Sequence, residues 1–193
     1  MNKRILRAVS FAVGVSLSAG AFAQASTPRG AEPAQRAPVR LSASDQKFIN
    51  EAAVGGQFEV EAGKIAERSA NPQIKEFGDR MVKDHSAANA DLKQLASTQG
   101  GTVPQRLDVK HTQLRDHLAS LKGAEFDREY IRQMVKDHDQ DAQVFANAAK
   151  TLSDPQLKRF AADTLQVVQS HEKMAHDIAA SMAATGSSTP RGR

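Results

Sequence analysis

The chain has 193 residues, with 26 Lys and Arg against 22 Asp and Glu, and it contains no cysteine and no tryptophan. The missing cysteine excludes disulfides, thiol nucleophiles, zinc–thiolate sites and iron–sulfur clusters. Hydrophobic residues make up 40% of the chain but aromatic residues only 5%, which favours one domain of helices packed through small side chains.

The first residues have the features of a secretory signal peptide. Basic residues precede a mostly apolar stretch over 8–21, and Ala21-Phe22-Ala23 fits a small-x-small cleavage site. The apolar stretch is too short for a stable membrane span. We therefore predict that residues 1–23 are a cleaved signal peptide, that the mature chain has no transmembrane span, and that it resides in the periplasm. Peripheral association with the outer membrane stays open.

Removal of the signal peptide changes the charge balance. It takes away three basic residues and leaves 23 against 22 acidic ones, a net charge of +1. No basic patch of the kind that binds nucleic acid is apparent, so we do not expect a nucleic-acid partner.

Composition divides the remainder of the chain into three parts. Residues 24–43 are rich in Pro, Ala and Arg and predict a flexible linker, and residues 185–193 predict a disordered tail. Residues 44–184 are predicted to form a helical bundle. Apolar periodicity and capping residues predict its helices at Ser44 to about Ala70, Asn71-Pro72 to Thr98, Asp108–Leu121, Ala124–Leu152, and Ser153-Asp154-Pro155 to about Ala184.

Two internal matches indicate a helical hairpin used twice. The segment 71–77 (NPQIKEF) is similar to 154–160 (DPQLKRF), and 56–59 (GQFE) is similar to 124–127 (AEFD). Two hairpins joined by a segment that contains a short extra helix predict an all-α, ferritin-like four-helix bundle. The connecting segment is long enough to cross the bundle lengthwise. A plain up-down-up-down bundle remains a second possibility.

Each long helix carries one polar group on its apolar face. At about 100° per residue, Glu59, His85, His138 and His171 fall where a core hydrophobe is expected, and Asp141 shares the face of His138. All four of the first set lie roughly 17–26 Å from a helix end, near the middle of a bundle about 40 Å tall. We therefore expect a carboxylate and three imidazoles to converge inside the bundle.

Such a cluster needs compensation, because an isolated buried charge is costly. Glu59, His85, His138 and His171, with Asp141 in reserve, are the predicted ligands of a single transition-metal ion, Cu, Zn or Fe. The string Met-Val-Lys-Asp-His occurs twice, at 81–85 and 134–138, and nearby thioethers would favour Cu(I). A metal-free network in which the four groups satisfy one another is the alternative.

The other polar residues receive less specific predictions. Asp84 and Asp137, at the edges of the inward faces, are either solvated or orient a ligand. The histidines at positions 111, 117 and 176 and the glutamates at 51, 61 and 129 are predicted to lie on the surface. Asp127 faces inward near a helix start, where a role at the helix N-terminus is expected. Gly55-Gly56 and Gly63 are predicted to be close helix contacts.

The residues that carry these patterns resemble a known family. The segments FEVE at 58–61 and GKIA at 63–66, the two MVKDH strings, FD at 126–127, Tyr130, Phe160-Ala161 and His171 are similar to the secreted family named domain of unknown function 4142. The resemblance spans about residues 44–182. It implies a ferritin-like bundle in the bacterial periplasm or envelope and no particular activity. A di-iron centre would need Glu three residues before its histidines, but Val82, Val135 and Val168 occupy those positions.

These observations lead to three hypotheses of function. The first is a non-enzymatic envelope protein that binds one metal ion, in metal handling or stress. The second is a redox-active metalloenzyme at the same site, with iron, manganese or copper. The third is a metal-free interaction bundle, whose partner is another envelope protein or a second copy of the chain.

Overall fold

The computed structural model describes residues 41–187, and all of their regular secondary structure is helical. The helices are α1 (Ala43–Ala66), α2 (Pro72–Thr98), α3 (Val109–Ser120), α4 (Gly123–Thr151) and α5 (Pro155–Ser187). They confirm the predicted all-α fold. In this part of the chain, no helix combines the length and the apolar character that a membrane span requires. The predicted signal peptide, the predicted linker (24–43) up to residue 40 and the predicted tail (185–193) from residue 188 lie outside the described residues. Within the described residues, the tail prediction is wrong for 185–187, which continue α5, and residue 43 of the predicted linker already belongs to α1.

The first helix begins two residues earlier than predicted. Its cap is Ser42 rather than Ser44: the Ser42 hydroxyl accepts a hydrogen bond from the Asp45 N–H at 3.0 Å, and the Ser42 N–H donates to Asp45 Oδ2 at 3.0 Å. This reciprocal pair is a capping box, which needs an acceptor side chain three residues after the cap. Ser44 has Lys47 at that position, so it cannot form one.

The observed end of α1 also differs from the predicted one. The helix stops at Ala66 rather than near Ala70, and the chain then tightens, with the Ser69 N–H donating to Ala66 O at 2.9 Å. This turn brings the Ser69 hydroxyl to Asp127 Oδ1, to which it donates at 2.6 Å. Asp127 therefore links the end of the first hairpin's first helix to the start of α4. The prediction for this residue was a role at the N-terminus of its own helix.

Contacts between the loops fix the helix directions. Asp45, at the start of α1, accepts a hydrogen bond from the Ser153 N–H in the α4–α5 turn at 2.8 Å. The Ser69–Asp127 bond places the end of α1 beside the start of α4, so α1 and α4 are antiparallel. Since α2 returns along α1, α2 and α4 run in the same direction. The segment 99–122, which contains α3, must then cross the length of the bundle, as in ferritin-like folds, and the up-down-up-down alternative is wrong.

The core consists of two apolar clusters that lie on either side of a polar layer. One cluster, near the α1–α2 turn, includes Phe58, Phe77 and Met134. The other, near the α4–α5 turn, includes Phe48, Leu92 and Phe145. The polar layer consists of one inward-facing polar residue from each long helix, namely Glu59, His85, His138 and His171. Each of them lies between residues of the two clusters along its helix, so hydrophobic packing flanks the layer on both sides.

Glycine allows α1 and α2 to approach closely at one end. A Cβ on Gly63 would lie 2.7 Å from the Gly78 carbonyl oxygen, which confirms a close helix contact there. Gly56 is similarly crowded, since its Cβ would lie 2.5 Å from Asn89 Oδ1. Gly55 differs, because no heavy atom of the described residues lies within 4 Å of the place its Cβ would take. The prediction of a close contact at Gly55 is therefore wrong.

Candidate metal centre

Four polar side chains, one from each long helix, meet in the middle of the bundle. Glu59 of α1, His85 of α2, His138 of α4 and His171 of α5 are 2%, 5%, 0% and 1% exposed. The ring centroids of the three histidines lie 5.2–5.8 Å apart. The structure thus brings together the four groups that the sequence predicted to converge.

The ring of His85 is oriented by Glu59. Its Nδ1 lies 2.9 Å from Glu59 Oε2, so the carboxylate contacts this side of the ring. The second ring nitrogen, Nε2, is buried and has no hydrogen-bond partner among residues 41–187. With the ring proton on Nδ1, the nitrogen nearer the carboxylate, Nε2 carries a free lone pair.

The ring of His138 is oriented by its own helix. Its Nδ1 lies 2.9 Å from the Met134 carbonyl oxygen, which can only accept, so Nδ1 carries the proton. Its Nε2 therefore presents a lone pair, and it lies 3.4 Å from Glu59 Oε1. Neither of these two atoms has a hydrogen-bond partner in the described part of the chain.

The ring of His171 is oriented by Asp84. Its Nε2 lies 3.0 Å from Asp84 Oδ2, and that carboxylate oxygen also lies 3.5 Å from Arg80 Nε. The Nδ1 of His171 is buried and, within residues 41–187, unpartnered. Of the two roles predicted for Asp84, the structure therefore supports that of an orienting residue.

All three imidazoles share one arrangement. Each ring has one nitrogen 2.9–3.0 Å from an oxygen acceptor and one nitrogen without a partner among residues 41–187, which is the pattern that metal-binding histidines show in proteins. One ring nitrogen of each histidine lies within 4.8 Å of one ring nitrogen of each of the other two. Three nitrogens that bind one ion at 2.0–2.1 Å would be roughly 3.5 Å from one another. Small movements of the rings would bring the nitrogens to that separation.

Burial also keeps the rings uncharged at neutral pH. It lowers the pKa of His85 to about 4, and burial followed by the charge of His85 lowers the pKa of His171 to about 4. The pKa of His138 is lowered as well, chiefly by burial. Neutral imidazole is the form that binds metal, so protons do not compete strongly for these nitrogens.

Glu59 and Asp141 occupy different places relative to the three rings. Glu59 touches His85 and His138, and burial raises its pKa to about 7 although the charge of His138 opposes this. Asp141, the reserve ligand, lies outside the group of three imidazoles and lines an adjoining cavity. Burial, with the charges of Glu59 and Asp137, raises the pKa of Asp141 well above its ordinary value.

The cavity beside the site was not predicted. It has a volume of about 510 Å³, and Glu59, His85, Asp137 and Asp141 are among its lining residues. His111, which the sequence placed on the surface, also lines it, with its ring 5.4 Å from that of Phe58. The weak periodicity of α3 carried no signal for this position, because the path of the crossing segment is set by tertiary contacts.

Two other surface predictions have mixed outcomes. Glu61 is partly buried and lies 3.0 Å from Arg115 Nη1 of α3, so it is a bridge between helices rather than a freely solvated charge. His176 is exposed, as predicted, and its Nε2 lies 2.8 Å from Asp139 Oδ1. Together with Glu172 these two residues form a second group of metal-compatible side chains on the outer face of α4 and α5.

Solved structures with a similar fold include DUF305 proteins. A DUF305 fragment from Deinococcus radiodurans is 10% identical, with a TM-score of 0.64 over 73% of this chain and 98% of that one. A DUF305 protein from Streptomyces coelicolor, described as secreted, is 14% identical, with a TM-score of 0.61 over 70% and 90% of the two chains. At these identities the likeness is one of fold alone.

A copper-bound protein has the same fold. CopM in its Cu(I)-bound form is 19% identical, with a TM-score of 0.57 over 68% of this chain and 92% of that one. The comparison with curated proteins gave no match. A family model matches residues 30–178, about three quarters of the sequence, and the chain therefore belongs to the family described as domain of unknown function, DUF4142.

Proposed function

We propose that this chain is an exported helical bundle that binds one transition-metal ion, copper in the first place, through His85, His138 and His171. The observation that carries the proposal is the set of three buried ring nitrogens that lack any partner among residues 41–187. Each opposite nitrogen is held by Glu59, Met134 O or Asp84. A ring held in this way presents its lone pair in a fixed direction, which favours metal binding.

The contact between Glu59 and His138 supports a bound cation over a metal-free network. Glu59 Oε1 and His138 Nε2 lie 3.4 Å apart, and the bond to Met134 assigns the single ring proton of neutral His138 to its other nitrogen. Two lone pairs that face each other repel unless a proton or a cation lies near them. A proton on Glu59 would satisfy this one contact, but the free nitrogens of His85 and His171 would still need a partner.

Copper is favoured among the candidate ions for two reasons. Three neutral imidazoles with one adjacent carboxylate balance a monovalent ion without leaving excess charge in the core, which limits the cost of burying it. CopM, which has this fold, is a Cu(I)-bound protein. Zinc also accepts imidazole ligands and is therefore the competing ion to be tested.

Export is the second part of the proposal. It rests on the signal-peptide features of residues 1–23 and on the secreted DUF305 relative in fold. The expected compartment is the periplasm. Fractionation of cells that produce the full-length chain would test this, since a cytoplasmic chain that still carries residues 1–23 would contradict it.

The metal proposal is tested with chain purified without a histidine tag. Cu(I) and Zn²⁺ are presented separately against a competing chelator, and bound metal per chain is measured by mass spectrometry. We expect one ion for the wild type and none for His85→Ala. His176→Ala, which removes an exposed imidazole from the same protein, is the matched control and should keep the ion. Retention of the ion by His85→Ala would contradict the proposed site.

A second function is supported by the cavity. Three protein nitrogens leave a coordination position open, as in catalytic rather than structural metal sites, and the cavity borders His85. This arrangement is compatible with redox chemistry on a small substrate. Turnover of ferrous iron, cuprous copper or peroxide by the metal-loaded chain would support an enzyme, and a stable loaded protein without turnover would favour a carrier.

A further inference from the structure

The cavity beside the metal centre has an acidic inner wall. Its walls come from several helices: Glu59 and Gly55 from α1, His85 from α2, and Asp137 and Asp141 from α4. Lys110 and His111 of α3 also line it. A volume of about 510 Å³ is enough for several water molecules, at about 30 Å³ each in the liquid. The cavity therefore provides a hydrated space that touches two residues of the metal centre.

Two carboxylate oxygens of this wall lack a compensating partner. Glu59 is 2% exposed, and its Oε1 has no hydrogen-bond partner in the described residues. Asp137 accepts a hydrogen bond from Gln133 Nε2 at 2.8 Å through Oδ1, whereas its Oδ2 is buried and, among residues 41–187, unpartnered. Oxygens of this kind attract a cation or a proton from the cavity.

Three carboxyl groups, those of Glu59, Asp137 and Asp141, line the cavity on the side of the metal centre. Asp137 and Asp141 lie one helical turn apart on α4, on the same side of the helix, and Asp137 immediately precedes His138. The carboxyl groups thus extend along the wall towards the metal centre. Acidic side chains outnumber the lysines in the lining, and a cleft with an excess of acidic groups attracts cations.

Geometry distinguishes a route from a second binding site. Among the described residues, the group of buried side chains close enough to share one ion consists of the three histidines and does not include these carboxylates. The carboxylates therefore suit successive, weak contacts with a moving ion better than a single stable site. Lys110, whose charge lowers the pKa of both aspartates, lies in the same cavity and limits how strongly a cation is held there.

We infer that this cavity is the route by which the metal ion reaches the three histidines, with Asp137 and Asp141 as transient contacts and Glu59 as the last oxygen before the ring nitrogens. The inference rests on the proposed function, since it names the path to that site. A transient contact lowers the barrier to association and leaves the affinity of the final site unchanged. The rates of binding and release must then change together.

Gly55 offers a way to obstruct the route without touching a carboxylate. It lines the cavity, and no described atom lies within 4 Å of the position of its Cβ. A leucine there projects into the cavity, and the helix tolerates it because Leu is a better helix former than Gly. Gly55→Leu should therefore fold and should narrow the path.

Tyr130 provides a specific reporter for the experiment. It is the only tyrosine of a chain without tryptophan, and it is fully buried, with its ring 6.2 Å from that of Phe77, whose ring in turn lies 6.3 Å from His138. Its fluorescence should respond when copper occupies the centre. Cu(I) released from a weak chelator is mixed with the wild type, Gly55→Leu, and the double variant Asp137→Asn/Asp141→Asn under anaerobic stopped flow.

We expect the double variant to bind Cu(I) with an association rate constant about tenfold lower than the wild type, with an equilibrium affinity close to that of the wild type. Gly55→Leu should slow association several-fold. Asp139→Asn, which removes a carboxylate from the outer face of α4, is the control and should keep the wild-type rate.

The outcomes separate the two proposals. Unchanged rates in Gly55→Leu and the double variant would overturn the route. A loss of affinity in the double variant as large as the loss of rate would also overturn it and would make an aspartate a ligand. If the wild type itself binds no Cu(I), the proposed function fails.

Discussion

Two groups of similar residues lie on different faces of α4 and α5, and members of one directly follow members of the other along the chain. His138 and His171 point into the bundle, whereas Asp139 and Glu172, the next residue in each helix, belong to the outer group with His176. The outer group contains an ion pair of 2.8 Å between partly exposed side chains. The inner group keeps three buried ring nitrogens that have no partner among residues 41–187.

The difference shows that composition alone does not define a metal site. Water can satisfy every polar atom of the outer group, so an ion gains little by replacing it. In the inner group the unpartnered nitrogens are buried and each ring is already oriented, so an ion meets unsatisfied lone pairs. The following predictions test whether burial and orientation set the two groups apart.

The largest expected effect is stabilisation of the fold by metal. Cu(I) at 100 times its dissociation constant should raise the free energy of unfolding by about 2.7 kcal/mol, because only the folded state holds the inner group together. Denaturant unfolding with and without metal measures this. His176→Ala should retain the full increase and His138→Ala should lose it, and equal increases in both variants would contradict the comparison.

Orientation of the inner rings can be weakened without removing a ligand. Asp84→Asn leaves His171 in place but removes the charge that its Nε2 faces at 3.0 Å, and such changes reduce metal affinity about 10- to 100-fold. Asp139→Asn removes the carboxylate that faces His176 and is the matched control. Competition titration with a chelator measures both affinities. An unchanged affinity in Asp84→Asn would show that orientation is not needed.

Two glycines of α1 allow a comparison between a close helix contact, at Gly63, and the cavity beside the inner group, at Gly55. Gly63→Ala should destabilise the fold by roughly 1–2 kcal/mol, because its methyl group would meet the Gly78 carbonyl at 2.7 Å. Gly55→Ala should leave stability unchanged or raise it by up to about 1 kcal/mol, because its methyl group enters the cavity. Denaturant midpoints compare the two. A similar change in unfolding free energy at both positions would contradict the open space beside Gly55.

The smallest effect concerns the bundle end far from the α1–α2 turn. Burial opposes ionisation of Asp45, but hydrogen bonds from Ser42, Ser153 and Asp154 outweigh it and lower the pKa of this carboxyl. Asp45→Asn should cost about 1 kcal/mol at pH 7, the difference between charged and neutral hydrogen bonds.

The pH dependence of this effect has a definite sign. Because the folded-state pKa of Asp45 lies below 3.8, its contribution is complete above that value and disappears as the pH falls through the folded-state pKa. Unfolding of both proteins at pH 7 and at progressively lower pH measures it. A difference that persists unchanged in strong acid would contradict the assignment to the charge.

The positions of the four central groups could be predicted because helical periodicity fixes direction and distance along each helix. Residues 59, 85, 138 and 171 needed only a register of about 100° per residue and a hairpin repeat. The helix cap at Ser42 could also have been predicted from the sequence. Asp45 stands three residues after Ser42 and can complete a capping box, whereas Lys47 stands three residues after Ser44 and cannot.

Other features depend on contacts between helices that no local pattern encodes. The hydrogen bond from His171 to Asp84 joins residues 87 positions apart, and it decides which ring nitrogen is free. Glu59 is placed against two rings at once, so one of its oxygens is used for orientation and only the other faces the centre unpartnered. The position of His111 against Phe58 depends on the path of the crossing segment, whose helix is short and weakly amphipathic.

The most direct test of the central claim is the X-ray absorption spectrum of tag-free, Cu(I)-loaded protein. The structure leads us to expect three imidazole nitrogens at about 2 Å from the metal, as imidazole binds zinc, and a loss of this signal in His85→Ala. A spectrum without imidazole scattering, or one that is identical in His85→Ala, would contradict a three-histidine centre in this bundle.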